Sequence, residues 1–380
     1  MLCIGGRRTE LEAMIISLYV DDPATLRACA LACSRLCYWA QSRLFCTIIT
    51  NFDVDGRLPW SRRAQRLADI FDRSPHLLFH VRSLVIGDSY PALLAVLATQ
   101  KWKELASLEL FLIPHESEDV VKSIQMLVSG ASLETLRLAF GYETWSSMYF
   151  SRILANCSPT LVNIDLVHCS TEVHNINAPP QSPLAVSDTL NSPQRAQIQR
   201  LSLIESPGAV AALDTGTLPL DLTQVREVIY RQSPHVSLHS VLRQSRAHLT
   251  LKVDPNDLTL ATFDFSLPSL RALECSFTAR SVRSIISRIP RTSRLTMLTL
   301  TTSPNDWDPE ITFLNHQHLV AKLFDDKLSE RFDYLRMVRV EVQPSLRRSE
   351  TELTPAELTM TIEQTLPKLS NAGMVSIIFL

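Results

Sequence analysis

The chain has 380 residues, 46% of them hydrophobic and 20% charged, with a formal net charge of −2. That balance belongs to a globular protein of one to three domains. It offers no field to attract nucleic acid or an anionic membrane surface, and no apolar run reaches the roughly 18 residues of a membrane span.

In chain order, Leu11, Met14, Ile15 and Leu18 recur at helical spacing and predict a short amphipathic helix. Asp21-Asp22-Pro23 is a helix start, an aspartate cap followed by proline in the first turn. The next helix is expected from Pro23 to about Trp39, with Leu26, Ala30, Cys33 and Cys37 on one face, and a third short one through Gln41–Phe45. These residues read as a helical unit over 1–50, with the remainder, 51–380, as a second region. SPHLLFHVRSLVI, Ser74–Ile86, couples a helix end to what reads as the first strand.

From there one phrase keeps returning, Leu-x-x-Leu-x-Leu. It reads LASLEL at Leu105–Leu110, LETLRL at Leu133–Leu138 and LVNIDL at Leu161–Leu166. It returns as IQRLSL at Ile198–Leu203, LRALEC at Leu270–Cys275 and LTMLTL at Leu295–Leu300. Looser copies begin at Val81, Val225 and Leu335. The step from Leu108 to Leu136 to Ile164 is 28 residues each time, and from Leu273 to Leu298 it is 25. A phrase of this form at this period marks a leucine-rich repeat, one short strand and one return helix per unit. The fold class expected is therefore α/β: an irregular leucine-rich-repeat solenoid, or horseshoe, of nine to eleven repeats preceded by a small three-helix unit.

Helical patterns lie between the phrases. Val120, Ile124, Leu127 and Val128 follow the 3.6 period, as do Val282, Ile285, Ile286 and Ile289, and Leu319, Leu323, Phe324 and Leu328. Thr354-Pro355-Ala356-Glu357 is a capping box opening a helix with Leu358, Ile362, Leu366 and Leu369, and MVSIIFL at the end reads as one last buried strand. A proline-rich stretch at about 170–197 reads as a flexible insertion.

Within each phrase the residue between the last two leucine positions points away from the core, because strand side chains alternate. These residues are Glu109, Arg137, Asp165, Ser202, Glu274, Thr299 and Arg339, flanked by Phe111, Asn163 and Arg200. Both signs of charge with an occasional aromatic suit a surface that recognises protein.

The segment ELEAMIISLYVDDPATLRACALACSRLCYWAQSRLF, Glu10–Phe45, resembles an F-box. The likeness is carried by Glu10-Leu11, Ile15-Ile16, Asp21-Asp22, Leu26 and Leu31-Ala32-Cys33. SPHLLFHVRSL is similar to the segment after the F-box in an expanded fungal family of F-box proteins with a leucine-rich-repeat-like C-terminal region. The resemblance implies a Skp-type adaptor as partner, held by Leu11, Ile15, Ile16, Leu26, Leu31 and Cys33, and through it a cullin. It further implies the role of substrate-recognition subunit of a ubiquitin ligase, with an unknown protein substrate on the repeat surface. A cytoplasmic or nuclear setting is expected from the lack of a membrane-length apolar run and of a signal-like apolar stretch at MLCIGGRRTE. Where the family begins with Leu-Pro, this chain has Arg7-Arg8, and the family's tryptophan is displaced by one turn to Trp39. A repeat scaffold with a degenerate F-box and no ligase role is the alternative.

No cofactor or catalytic residue is expected. Cys29, Cys33 and Cys37 sit four apart, yet zinc needs a fourth ligand and buried cysteine packs as a small hydrophobe. His235 and His239 lack the glutamate of a zinc-protease helix, and His316-x-His318 is weaker still. A thiol-dependent hydrolase would need a histidine beside one of the cysteines, which sequence order does not supply.

Overall fold

The structure, a computed structural model, describes residues 14, 22–32, 34–50, 60–87, 91–112, 117–130, 132–140, 147–169, 195–214, 220–231, 239–253, 269–276, 293–302, 325–326, 328, 333–343 and 354–380. It is a mixed α/β protein whose main sheet has twelve strands, is parallel in every registered pair, and is not closed into a barrel. The chain divides into two compact units, residues 1–196 with 218–220, and residues 197–217 with 221–380.

The first unit begins with α1 (Pro23–Ala32) and α2 (Ser34–Leu44), then β1 (Thr47–Thr50), α3 (Trp60–Arg73) and a 3-10 turn at Pro75–Phe79. It continues with β2 (Ser83–Ile86), α4 (Pro91–Ala98), β3 (Ser107–Leu112), α5 (Glu118–Val128), β4 (Thr135–Phe140), α6 (Ser147–Ala155) and β5 (Asn163–Val167). Two-residue strands β6 (Ala196–Gln197) and β8 (Leu220–Asp221) pair with each other outside the main sheet. The second unit holds β7 (Arg200–Ile204), α7 (Pro207–Asp214), β9 (Glu227–Arg231), α8 (His239–Gln244), β10 (Leu249–Val253), β11 (Leu270–Ser276) and β12 (Met297–Thr302). It ends with β13 (Met337–Val342), α9 (Pro355–Thr365), α10 (Pro367–Asn371) and β14 (Val375–Phe379).

The leucine phrase accounts for most of these strands. In all nine copies its three apolar positions are buried to 5% exposure or less, from Val81, Leu84 and Ile86 to Leu335, Val338 and Val340. In the first unit they stack in register as Leu84–Leu108–Leu136–Ile164 and Ile86–Leu110–Leu138–Leu166. In the second unit Val228, Leu251, Leu273, Leu298 and Val338 form the equivalent row. Each fully buried aliphatic side chain contributes about 1.5–3 kcal/mol, so the stacked rows are the main stabilising feature. The intervening helices supply the other wall. Helix α5 buries Val120, Ile124, Leu127 and Val128, as its period predicts, and Val121 besides; Ser117 caps it by accepting from the Val120 amide at 3.3 Å.

The backbone repeats with the same regularity. One carbonyl accepts two successive amides of the next repeat: Cys46 O takes Arg82 and Ser83, and Arg82 O takes Ala106 and Ser107. Ala106 O then takes Glu134 and Thr135, and Glu134 O takes Val162 and Asn163. In the second unit Gln199 O takes Arg226 and Glu227, and Thr296 O takes Arg336 and Met337. Hydroxyls reinforce the pattern. Ser132 donates to Leu105 O at 3.1 Å, Thr160 to Leu133 O at 2.8 Å and Ser245 to Val225 O at 2.7 Å. Each acceptor is the first apolar residue of the preceding phrase.

Several expectations need correction. The helix expected from Pro23 to Trp39 is two helices, α1 ending at Ala32 and α2 starting at Ser34, packed together so that Leu26 and Ala40 share one buried cluster. Cys29 and Cys37 lie on different helices, and Cys33 lies outside the described residues. The strand at Ser83 is not the first, since β1 precedes it and pairs with it. The final strand β14 is half-buried, with Phe379 exposed, because it lies at the end of the strand order. Of the expected insertion, 170–194 lies outside the described residues, as do the helical patterns at 282–289 and 319–324. Among the described residues no helix is long and apolar enough to cross a membrane.

Candidate functional site

Two places carry the candidate functional residues: the N-terminal helices and the outward rows of the sheet. In the helices, Leu26 is buried against Ala40, with Cys29, Ala30, Leu36, Trp39 and Leu44 packed around them. Asp22 caps α1, its carboxylate accepting from the Thr25 amide at 2.8 Å and the Thr25 hydroxyl at 2.7 Å. Those bonds, the hydroxyl first, hold its carboxyl below the usual range. Leu31, one of the residues expected to hold an adaptor, lies 88% exposed on the same helix. Tyr38 on α2 is also exposed, and its ring meets those of Trp39 and His80 edge-on at 5.0 and 5.1 Å. The His80 contact ties the helices to the residues leading into β2. Burial, then the neighbouring His76, hold the His80 imidazole below its ordinary value, which keeps the ring neutral at neutral pH. Leu11, Ile15, Ile16 and Cys33 lie outside the described residues.

The outward residues read from the phrases fall into register. Glu109, Arg137 and Asp165 stand side by side on β3, β4 and β5, extended on β2 by Val85. In the second unit Ser202, Ile229, Lys252, Glu274, Thr299, Arg339 and Ser376 form one row across β7 to β14. A parallel row runs Arg200–Glu227–Thr250–Ala272–Met297–Met337. Ile229, Lys252 and Ser376 were not among the expected residues. Ile229 occupies the corresponding place in the loose phrase VREVIY. Lys252 sits on a strand whose phrase is one residue short, and the register shifts between Leu249 and Thr250.

Exposure separates these residues. Glu109, Arg137, Asp165, Lys252, Glu274 and Arg339 are partly exposed. Ser202 is 2% and Thr299 4% exposed, small side chains shadowed by longer neighbours, so they line the floor of the face rather than its contact surface. Charges pair across strands. Arg137 lies 3.3 Å from Glu109. Arg200 and Lys252 flank Glu227 at 3.4 and 3.2 Å, and Lys252 also reaches Glu274 at 3.1 Å. Burial lowers the affinity of Lys252 for its proton, but the hydrogen bonds to Glu274 and Glu227 outweigh it and raise its value.

The described cysteines give no activated thiol in the two cases where burial is decisive. Burial pushes Cys157 and Cys275 each up to about 12, leaving neutral thiols at physiological pH. Buried Cys169 donates weakly to Val167 O at 3.7 Å, a contact within its own strand end. Among the described residues there is no cluster of three or more His, Cys, Asp or Glu side chains able to hold a metal ion. The histidines at 235, 316 and 318 and the side chain of His239 lie outside the described residues. No protein-family model matches the chain, and no curated protein matches its sequence. The face offers salt-bridged charges, hydroxyls and a few apolar side chains set at strand spacing.

Proposed function

We propose that this chain is the substrate-recognition subunit of a Skp–cullin–F-box type ubiquitin ligase. In this reading the nine phrases are coils of an irregular leucine-rich-repeat solenoid, and its open strand face holds a protein substrate. The N-terminal helices are an F-box that holds the adaptor, in the cytoplasm or nucleus, and the chain contributes positioning rather than bond chemistry. The observation that carries the adaptor half is Leu31. A leucine almost wholly in water, on a helix whose opposite side is packed, is apolar surface that a partner covers. Leu31 is also among the residues that carry the F-box resemblance.

The test is direct binding of the full chain to purified Skp adaptor. Binding at about 1 μM or tighter is expected, with Leu31→Glu weakening it by roughly tenfold or more, since the leucine's burial contributes about 1.5–3 kcal/mol. Absence of binding by the intact chain at micromolar concentration defeats the ligase reading. It would leave the scaffold with a degenerate F-box, which the replacement of Leu-Pro by Arg7-Arg8 favours.

A further inference from the structure

Helix α10 starts where no residue beside it can cap it. The residue before it is Leu366, whose side chain accepts nothing, and Pro367 has no amide to donate. The first amides that need acceptors are those of Lys368 and Leu369. One carboxylate, 43 and 44 residues earlier in the chain, takes both. Asp325 Oδ2 accepts from the Lys368 amide at 2.9 Å, and Oδ1 accepts from the Leu369 amide at 2.9 Å. Asp325 is 1% exposed and Leu369 is fully buried, so water cannot stand in for the carboxylate. A charged acceptor at two helix N-terminal amides is among the stronger hydrogen-bonding arrangements. In sequence, Asp325 and Asp326 look alike, two carboxylates in water; the structure separates them. Asp326 is exposed and meets Lys368 Nζ at 3.1 Å, a surface pair of the kind that contributes little.

The hold on Leu369 is passed on to the sheet. Leu369 O accepts from the Met374 amide at 3.0 Å, across a turn in which Gly373 takes φ 67°. Met374 O in turn accepts from the Val338 amide at 2.8 Å, where β14 begins to pair with β13. Three hydrogen bonds in series thus run from the buried Asp325 carboxylate to β13. Strand β14 ends the strand order, is bonded to β13 alone, and is only half-buried with Phe379 exposed. An end strand so held opens more readily than strands paired on both sides.

We infer that α10 and β14 form a strap closed over the edge of β13 that faces away from β12, and that Asp325 is its lock. With the carboxylate on the Lys368 and Leu369 amides the strap is shut; without it the strap opens while the rest of the second unit stays folded. The outward row then ends at Arg339 instead of Ser376, its partner on β14. The lock therefore sets how far the strand face extends.

Hydrogen exchange followed by mass spectrometry on the full-length chain is the test. Asp325→Asn keeps the size of the side chain, leaves one acceptor and turns an N–H donor towards the second amide. It should speed exchange across residues 367–379 by roughly tenfold or more, as expected for a buried amide left without its acceptor. Exchange in β11 and β12 should stay at the wild-type rate. Lys368→Ala removes the surface pair with Asp326 and leaves the backbone amide in place, so the strap should exchange as in the wild type. Unchanged exchange in Asp325→Asn overturns the inference. So does equal acceleration throughout the second unit, or failure of the variant to fold, since Asp325 would then hold the unit as a whole and no separable strap exists. Acceleration by Lys368→Ala to the same extent would move the lock to the surface pair and overturn the role of Asp325.

Discussion

At the residue scale, the features that distinguish this chain are small hydroxyls doing what asparagine or cysteine would do in a more regular repeat. Sequence reading looks for an asparagine or cysteine ladder joining successive turns and finds only Cys169. The ladder is present in another form, as Ser132, Thr160 and Ser245 donating to the first phrase residue of the repeat before. Serine and threonine are common in any loop, so nothing in their identity announces the role; only the register reveals it. Ser245 is the sharpest case, because its hydroxyl is buried and reaches Val225 O at 2.7 Å. Removing a donor from a buried carbonyl costs about 1–3 kcal/mol. Ser245→Ala is therefore expected to lower stability by that amount in urea unfolding. Loss indistinguishable from zero would mean that the ladder is incidental.

At the element scale, legibility followed the strength of local signals. Helix α9 begins where Thr354-Pro355-Ala356-Glu357 predicts, with both halves of the capping box formed. The two bonds from Thr354, amide first, hold the Glu357 carboxyl below its ordinary value of 4.5. A carboxyl depressed on folding contributes stability that is present above its unfolded value and lost as pH falls through the folded one. Glu357→Gln keeps an acceptor but cannot titrate. The variant is expected to track the wild type below the folded value and to fall short of it above pH 4.5, in urea midpoints measured from pH 7 to 3. A constant gap across that range would contradict the linkage. Elements with weaker signals escaped. Strand β1 has only TIIT and no leucine phrase. Strand β10 has its phrase shortened by one residue, which the sheet absorbs as the irregularity at Leu249 and Thr250. The break between α1 and α2 carries neither proline nor glycine, so the helical period ran across it unmarked. Leu26 and Ala40 share one buried cluster across the two helices, a contact 14 residues apart that no local signal announces. The outward rows were legible from the phrase alone, since alternation fixes direction, whereas the burial of Ser202 and Thr299 depends on the size of neighbours in adjacent strands.

At the scale of the whole molecule, strand order in the main sheet follows chain order. Within each unit, consecutive main-sheet strands are hydrogen-bonded to one another, so the pairing is local in sequence. This has a measurable consequence for how core substitutions combine. Leu136 on β4 and Ile164 on β5 are register partners in one buried row. Val338 on β13 is equally buried and shares no neighbouring strand with β4. Leu136→Ala is expected to cost about 2–5 kcal/mol and Ile164→Val about 0.5–1.5 kcal/mol. Combined, the two should depart from additivity by roughly 0.5 kcal/mol or more, because the space opened at residue 136 changes what surrounds residue 164. Leu136→Ala combined with Val338→Ala should instead add to within about 0.3–0.5 kcal/mol. Double-mutant cycles in urea distinguish these outcomes. Strong coupling between residues 136 and 338 would show that the buried rows respond as one cooperative core, and the account of stacked repeats with nearest-neighbour energetics would have to be abandoned.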